Sequence, residues 1–472
     1  MSSNQSTRLP TVLEASASVL SLILGVGISV GVFKLYPQIP TLLGVGVAAL
    51  VAWRCGFNWE AIEDAMIKGV TRAIPAIIIF LLIGILIGVW IVSGVVPTML
   101  YYGIQVLSAD VFLPSTLIIC AVASLATGTS WGTSGTIGLT LIGIGNSLGF
   151  PLSLVAGAVI SGAYFGDKMS PLSDTTNLAS SMAGTDLYTH IRHMSKTTGI
   201  AFSITLLIEI ILGFKYSTST ESTADVGQIM QLLTDNFVIN PIMLLPPMVL
   251  ILLSSKKVPP IPAIAAGILL AALIGLIVQD ASVKQLMKVS YSGFESATGV
   301  ATIDALLTRG GIASMSYTIT IVLVAMMFGG IMEKTQQLKV LIAQLLERSV
   351  STASLVCSAV LTTFAANLVL CEQYMSVIVG ARTYAKEFEA RGLHAKNLSR
   401  IVEDSGTVTA CLVPWTSGAA YQASVLGVAT LAYAPFAFFC WISPLVTLVF
   451  GIFNIDIAKI EDDPETHFSI ED

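Results

Sequence analysis

Apolar residues run in long blocks along the chain, cut at a few places by short clusters of glycine, hydroxyl and acidic side chains. The runs near 13–33, 38–55, 73–96, 197–214, 240–254, 260–279, 315–332 and 433–455 match or approach the length of about 20 apolar residues that crosses a bilayer as a helix. Two longer blocks, 150–184 and 397–430, carry polar breaks at "MSPLSD" and "LVPWTS" and predict interrupted spans. Two others, 111–148 and 352–381, have polar centres that read "ATGTSWGTSGTIG" and "AANLVLCEQYMS". An apolar arm, a polar tip and a second apolar arm predict a re-entrant hairpin, which lipid tolerates only when protein or water surrounds it. The expectation is an all-α polytopic membrane protein with about ten transmembrane helices and two re-entrant hairpins.

The two halves share an order of three spans, a hairpin, an interrupted span and a final span. Pro171 and Pro414 lie 243 residues apart, each in a polar break, and the hairpin tips are separated by about the same distance. Five full crossings per half is an odd number, so the second half enters the membrane upside down. That predicts two inverted repeats, 1–216 and 237–456, an external linker at 217–236 and a cytoplasmic tail at 457–472.

Composition agrees with this picture. The 472 residues are 54% hydrophobic and 11% charged, against about 25% charged in soluble domains. The net charge of −6 owes much to the tail "EDDPETHFSIED", and no basic patch suits nucleic acid. Six scattered cysteines without a CxxC pairing read as small core residues. With the N-terminus inside, the inner loops hold 17 Lys and Arg and the outer loops 5, with Lys168 in the membrane. Both termini are therefore expected in the cytoplasm, in a cell (inner) membrane. The first apolar run lacks a small-residue cleavage site and reads as a retained span.

Four polar clusters carry the candidate chemistry. The first hairpin tip holds Thr127, Thr129, Ser130, Thr133 and Ser134 among glycines. Small residues also serve helix packing, but five hydroxyls in eight residues suit a small hard cation such as Na⁺. The stretch "GDKMSPLSDTTNLAS" places Asp167, Lys168 and Asp174 in an almost uncharged region, beside Thr175 and Thr176. Asp167 can neutralise Lys168, and Asp174 can cap a helix starting at Thr175. A charge at this depth costs at least about 2.5 kcal/mol, which argues for use. A carboxylate that holds either H⁺ or Na⁺ is itself an antiport device.

The second half offers Asn367, Glu372 and Gln373 at its hairpin tip, then Asp404, Ser405, Thr407, Thr409, Thr416 and Ser417 along its interrupted span. Asp404 has a solvated reading near the inner surface. Na⁺ is placed at Asp174, Thr129 and Ser134, as a transported ion and not a cofactor. Glu209, alone in its span, reads as a partner of a membrane lysine or as a proton carrier. In "DLYTHIRHM", Asp186, His190 and His193 share a helix face, which is read as a wet cytosolic surface ahead of a metal site.

No GxxxxGK[ST] is present, so the energy source is not ATP. An intramembrane hydrolase built on Ser130 would lack a histidine in any span, and paired broken helices favour alternating access over a channel.

"GTSWGTSGTIG" (128–138), "SGAYFGDKMSPLSDTTNLA" (161–179), "AGTDLYTHI" (183–191) and "EDSGTVTACLVPWTSGAAYQ" (403–422) closely resemble motifs of the NhaC family of Na⁺/H⁺ antiporters. The resemblance covers nearly the whole chain. It implies an ion-transporter-superfamily fold, two inverted repeats, a homodimer in membrane lipid with a scaffold and a moving transport part, and exchange of Na⁺ for H⁺. Relatives that couple Na⁺ and H⁺ to malate and lactate, and others that resemble amino-acid carriers, keep a small carboxylate open as a further solute.

Overall fold

The computed structural model describes residues 7–33, 35–219, 226–256, 258–298, 304, 307–347, 351–463 and 465. The middle of the expected linker, part of 280–314 and the end of the tail with His467 lie outside these residues. Among the described residues the chain is helical, and the β-type pairing consists of two single bridges, Phe294 with Arg309 and Leu393 with Lys459.

The first half contains α1 (Val12–Val26), α2 (Gln38–Arg54), α3 (Trp59–Val92), α4 (Val95–Val106) and α5 (Phe112–Thr127). It continues with α6 (Ser130–Thr133), α7 (Leu139–Ser147), α8 (Leu152–Met169), α9 (Asp174–Ala183) and α10 (Leu187–Ser219). The second half contains α11 (Val226–Asn236), α12 (Leu245–Ser255), α13 (Pro260–Val278), α14 (Val283–Ser292), α15 (Ser316–Lys334) and α16 (Gln337–Glu347). Then follow α17 (Thr352–Leu370), α18 (Gln373–Ala390), α19 (Ala395–Val402), α20 (Ser417–Leu426), α21 (Thr430–Tyr433) and α22 (Phe438–Ile452).

Seven helices among the described residues are long and apolar enough to cross a membrane, or nine if two bent pairs each count as one span. The sequence pattern leads to ten. The difference lies in the broken elements. Neither side of the breaks in 150–184 and 397–430 is both long and apolar enough alone (α8 has 18 residues but carries Asp167 and Lys168 in its last turn), and α2 has only 17 residues. Conversely, Ala109–Thr127 and Thr352–Leu370, the first arms of the expected hairpins, are long enough to cross.

The backbone devices of the two halves recur at the 243-residue offset. Helix α5 ends at Gly128 (φ 69) and α17 ends at Cys371 (φ 61), both left-handed. Thr129 and Glu372 then adopt extended conformations (φ −149 and −151) and cap the next helix with their side chains. Helices α9 and α20 start 243 residues apart and end at left-handed glycines, Gly184 (φ 86) and Gly427 (φ 68). Two π segments, Ser134–Gly138 and Glu403–Thr407, sit next to these breaks, as such segments often do at functional sites.

Close backbone contact brings the breaks together. Cβ atoms added at Gly162 and Gly166 of α8 would lie 2.3 Å and 2.2 Å from the carbonyl oxygens of Leu117 and Ala121 on α5. Only glycine at this i, i+4 spacing lets α8 lie against α5. The contact continues to Gly128, where a Cβ would meet Leu172 at 2.7 Å. In the second half, the Ser417 N–H donates to the Cys371 carbonyl at 3.0 Å. In each half, the break after the first hairpin arm touches the break of the interrupted span.

Candidate ion-binding site

Asp167 is buried and faces the first hairpin tip. Its Oδ2 accepts from the Ser130 N–H (3.0 Å) and the Ser130 hydroxyl (2.6 Å), so it holds the start of α6. The alternative of a local Asp167–Lys168 pair is not realised. Helical geometry turns adjacent residues to different faces, and Lys168 points instead to the second half. Its ammonium pairs with Asp404, lies 2.9 Å from Ser443 Oγ, and sits 5.6 Å over the Phe439 ring. Asp404 also accepts from Thr197 Oγ1 at 3.0 Å, from Ser443 Oγ at 3.3 Å and from Thr447 Oγ1. Both charges are fully buried, so the solvated reading of Asp404 does not hold. This is a closed ion pair that ties the halves together.

Several candidate hydroxyls are spent on nearby backbone. Thr129 accepts from the Gly132 N–H (3.2 Å), and Thr133 donates to the Thr129 carbonyl (3.0 Å). Thr176 donates to the Lys168 carbonyl (3.0 Å), and Ser405 to that of Ile401 (2.5 Å). Thr416 donates to the Ala410 carbonyl (2.5 Å) and caps α20 through the Ala419 N–H (3.2 Å). Asn367 bridges the Gly406 carbonyl (2.6 Å), Thr409 Oγ1 (2.9 Å) and Ser376 Oγ (2.7 Å). Glu372 caps α18 by accepting from the N–H groups of Tyr374 (2.7 Å) and Met375 (3.2 Å). Asp174 is not the cap that the sequence offered as one reading. Ser173 holds the N-cap position, while Asp174 is the first helical residue, exposed and without a hydrogen bond among the described residues.

What remains open is a small set of buried polar atoms. Glu403 is fully buried. Its Oε1 accepts from Thr175 Oγ1 at 3.1 Å, and its Oε2 has no partner among the described residues. Thr407, one turn along on the same face, also has a free hydroxyl. Lys168 and Asp167 are within electrostatic range of Glu403. The sequence reading passed over Glu403 in favour of its neighbour Asp404. Its i, i+4 relation to Thr407 was the available signal, against a competing carboxylate one position on. Ser134 and Ser417 are likewise buried with unpartnered hydroxyls. No group of three or more His, Cys, Asp or Glu side chains close enough to hold a metal occurs among the described residues. A site here combines one carboxylate with neutral oxygens.

The expectation of a wet histidine face is corrected. His190 and His193 are buried, His190 Nδ1 lies 2.8 Å from Ser399 Oγ, and Asp186 caps α10 through the N–H groups of Tyr188 and Thr189 at 3.0 Å each. Helix α10 packs this face against α19 and the segment after α22. Asp456 there meets His193 and Arg400 at 3.5 Å each and pairs with Lys196. Partial burial pushes the Asp456 carboxyl up, but the hydrogen bond from Lys196 and the facing charges outweigh it and bring it below its usual range. Glu209 is buried with both carboxyl oxygens unpartnered among the described residues, so it does not pair with Lys168.

Comparison with known proteins gives this geometry its setting. Residues 162–455 match the model of the Na⁺/H⁺ antiporter family, a stretch that includes the polar breaks of both interrupted spans and Glu403. The chain is 38% identical over 432 residues to the Na⁺/H⁺ antiporter NhaC of Alkalihalophilus pseudofirmus, covering 91% of this chain and 93% of that protein. It is 36% identical over 445 residues to the malate-2H⁺/Na⁺-lactate antiporter of Bacillus subtilis, covering 94% and 95%. It is 33% identical over 463 residues to the arginine/ornithine antiporter ArcD of Halobacterium salinarum, covering 97% and 95%. With family-length coverage and the family's motifs at its two helix breaks, this chain belongs to the Na⁺/H⁺ antiporter family.

Proposed function

We propose that this chain exchanges Na⁺ for H⁺ across the membrane by alternating access, and that Glu403 is the carboxylate the two ions share. The observation that carries the reading is the unpartnered Glu403 Oε2 in a fully buried position between the two halves. A buried carboxylate oxygen without a donor is costly unless a proton or a cation meets it. Thr175 and Thr407 bring neutral oxygens to the same place, which suits Na⁺ once the proton has left. Because one oxygen cannot serve both ions, binding of one expels the other, and movement of the loaded site gives exchange.

Asp174 and Glu372 form the outer part of the route. Both lie within electrostatic range of Tyr374, and Asp174 is exposed with a free carboxylate. Their role is to gather cations at the mouth, with Ser134 and Ser417 as further neutral oxygens. The repeated break geometry at the 243-residue offset supports two repeats, 1–216 and 237–456, which we take as inverted. The Lys and Arg distribution supports both termini in the cytoplasm. Family membership supports a homodimer in the cell membrane.

The test is a proteoliposome assay with a preset pH gradient and no organic solute. Addition of Na⁺ collapses the gradient with wild-type protein, and Glu403→Gln reduces this to the liposome background while Na⁺ affinity loses its pH dependence. Gln keeps the acceptor for Thr175, so folding is retained. Full exchange by Glu403→Gln would remove the assignment and move it to Asp174.

A further inference from the structure

Helix α14 lies just past the end of a membrane span and shows four different faces. Helix α13, long and apolar enough to cross, ends at Val278, and the chain turns at Asp280 (φ 48). Ser282 then caps α14 through the Gln285 N–H at 3.1 Å. The helix packs on the last turns of α3, where a Cβ added at Gly88 would stand 2.5 Å from the Val289 carbonyl oxygen. Its far end is pinned as well. The Phe294 N–H donates to the Arg309 carbonyl at 2.9 Å, and a Cβ at Gly311 would meet the Gly293 nitrogen at 2.2 Å. These contacts fix how α14 is turned about its own axis. At about 100° per residue, its side chains then fall into an order around that axis. Val289 and Leu286 are buried against the protein. Next come Val283, Met287 and Tyr291, spaced i, i+4, i+8 and 61%, 70% and 66% exposed. Lys284 and Lys288 follow, both exposed, and the exposed Ser292 and Gln285 close the circle.

That order matches the layers at a membrane surface. Protein lies on one side, acyl chains beneath the apolar stripe, phosphates at the level of the lysines, and water above the neutral polar face. The position agrees. On α13 the exposed Leu269, Leu273 and Ile277 have the same i, i+4, i+8 spacing, so one lipid-facing stripe runs to the end of the span and a second begins after the turn. Lysine stems lie along apolar surface while their ammonium groups reach outwards to phosphate. Lys284 has no ion pair among the described residues, and Lys288 has an exposed one with Glu295 at 3.7 Å, of a kind too weak to hold it. Helix α14 itself carries no acid, since Asp280 and Glu295 stand beyond its two ends. We propose that α14 is an interfacial helix that docks on an anionic phospholipid, with Val283, Met287 and Tyr291 among the acyl chains and Lys284 and Lys288 on the headgroup phosphate. A second copy of the chain fits this face less well, because a two-fold contact would bring the same lysines of both chains together.

Quenching of a thiol-linked fluorophore by lipids with brominated chains tests this on the full-length protein in nanodiscs of phosphatidylglycerol and phosphatidylcholine. The label is placed by Met287→Cys, Gln285→Cys or Ser292→Cys, and the unsubstituted protein, treated alike, gives the blank from its own cysteines. Strong quenching is expected at 287 and little at 285 and 292. At 287, brominated phosphatidylglycerol quenches more than brominated phosphatidylcholine at equal content. Lys284→Gln and Lys288→Gln each reduce that preference about fivefold, the scale of one lysine at an anionic surface. Both lysines are exposed, so the melting temperature stays the same. Glycerol phosphate, which has the charge without the chains, leaves the preference unchanged. Equal quenching at all three positions overturns the orientation of α14, and an unchanged preference in the double lysine variant overturns the headgroup contact. Loss of the preference on adding glycerol phosphate would make this a free-phosphate site. Self-quenching between labels at 287 that disappears when unlabelled protein is mixed in would make it a contact between two copies, which also overturns the proposal.

Discussion

The break region at 160–184 and its counterpart at 403–427 share a backbone design around the break and differ in chemistry. Positions 167, 168 and 174 hold Asp, Lys and Asp, while the equivalent positions 410, 411 and 417 hold Ala, Cys and Ser. The second region's charges, Glu403 and Asp404, fall instead at positions equivalent to Ile160 and Ser161. Repetition therefore fixes where the chain bends, and charge placement breaks the symmetry. Each half uses its charges on the other: Lys168 reaches Asp404, and Thr175 reaches Glu403. A symmetric set would place like charges opposite each other in a buried space, where neither would be neutralised.

The largest expected effect comes from cutting that exchange between halves. Lys168→Met leaves Asp404 as a buried carboxylate with only hydroxyl donors and costs about 3–5 kcal/mol, read as a large fall in melting temperature in detergent. Adding Asp404→Asn to the same chain recovers most of the loss, since Thr197, Thr447 and Ser443 remain to bond the amide. If the double variant is as unstable as Lys168→Met alone, the ion pair is not what joins the halves.

The shared backbone is tested by exchanging residue types between Gly128 and Cys371. Both are left-handed, but only Gly128 lies where a Cβ would press on Leu172. Gly128→Ala carries the cost of about 1–2 kcal/mol for a side chain in this conformation, and the clash adds to it. Cys371→Gly removes the same strain and is expected to stabilise by up to about 1 kcal/mol, offset in part by backbone freedom in the unfolded chain. Opposite signs in thermal unfolding would support a common design with unequal surroundings. Equal destabilisation by both would mean that the Cys371 side chain has a packing role that outweighs its strain.

Asp174→Asn probes the mouth of the route. Its side chain is exposed and unpartnered, so stability stays the same, and apparent Na⁺ affinity falls about threefold through loss of one exposed charge. Complete loss of exchange would return the shared carboxylate from Glu403 to Asp174 and reverse the roles of the two regions.

These outcomes mark what the sequence could and could not reveal. The breaks were legible because proline, glycine and hydroxyls are conspicuous inside apolar blocks, and the 243-residue spacing of Pro171 and Pro414 carried over to the helix starts at Asp174 and Ser417. The individual ligands were not. Adjacent carboxylates at 403 and 404 point to different faces, and which one is left open depends on a lysine 236 residues away. Hydroxyl counting also overreached, because Thr133, Thr176 and Ser405 bond to nearby helix carbonyls, a use that composition does not separate from ion binding. The histidines near 190 looked solvated because "DLYTHIRHM" is polar. They are buried because α19 and Asp456 cover them from the far end of the chain.

That last contact supplies the smallest expected effect and a second tie between the halves. Asp456 follows α22, yet its carboxylate meets Lys196 and His193 on α10 and Arg400 on α19. Its folded carboxyl titrates below the unfolded value, held there against partial burial by the hydrogen bond from Lys196 and the facing charges. The stabilisation it gives is thus fully present above about pH 4, the unfolded carboxylate range, and fades as the pH falls through the depressed folded value. Lys196 is largely exposed, so solvent screening holds the contribution to a few tenths of a kcal/mol, at most about 1. In melting experiments from pH 7 to pH 3, Asp456→Asn should begin slightly less stable than the wild type and converge with it at the acid end. A gap that widens with acidification would mean that Asp456 is protonated in the folded state and that Arg400 finds its counter-charge elsewhere.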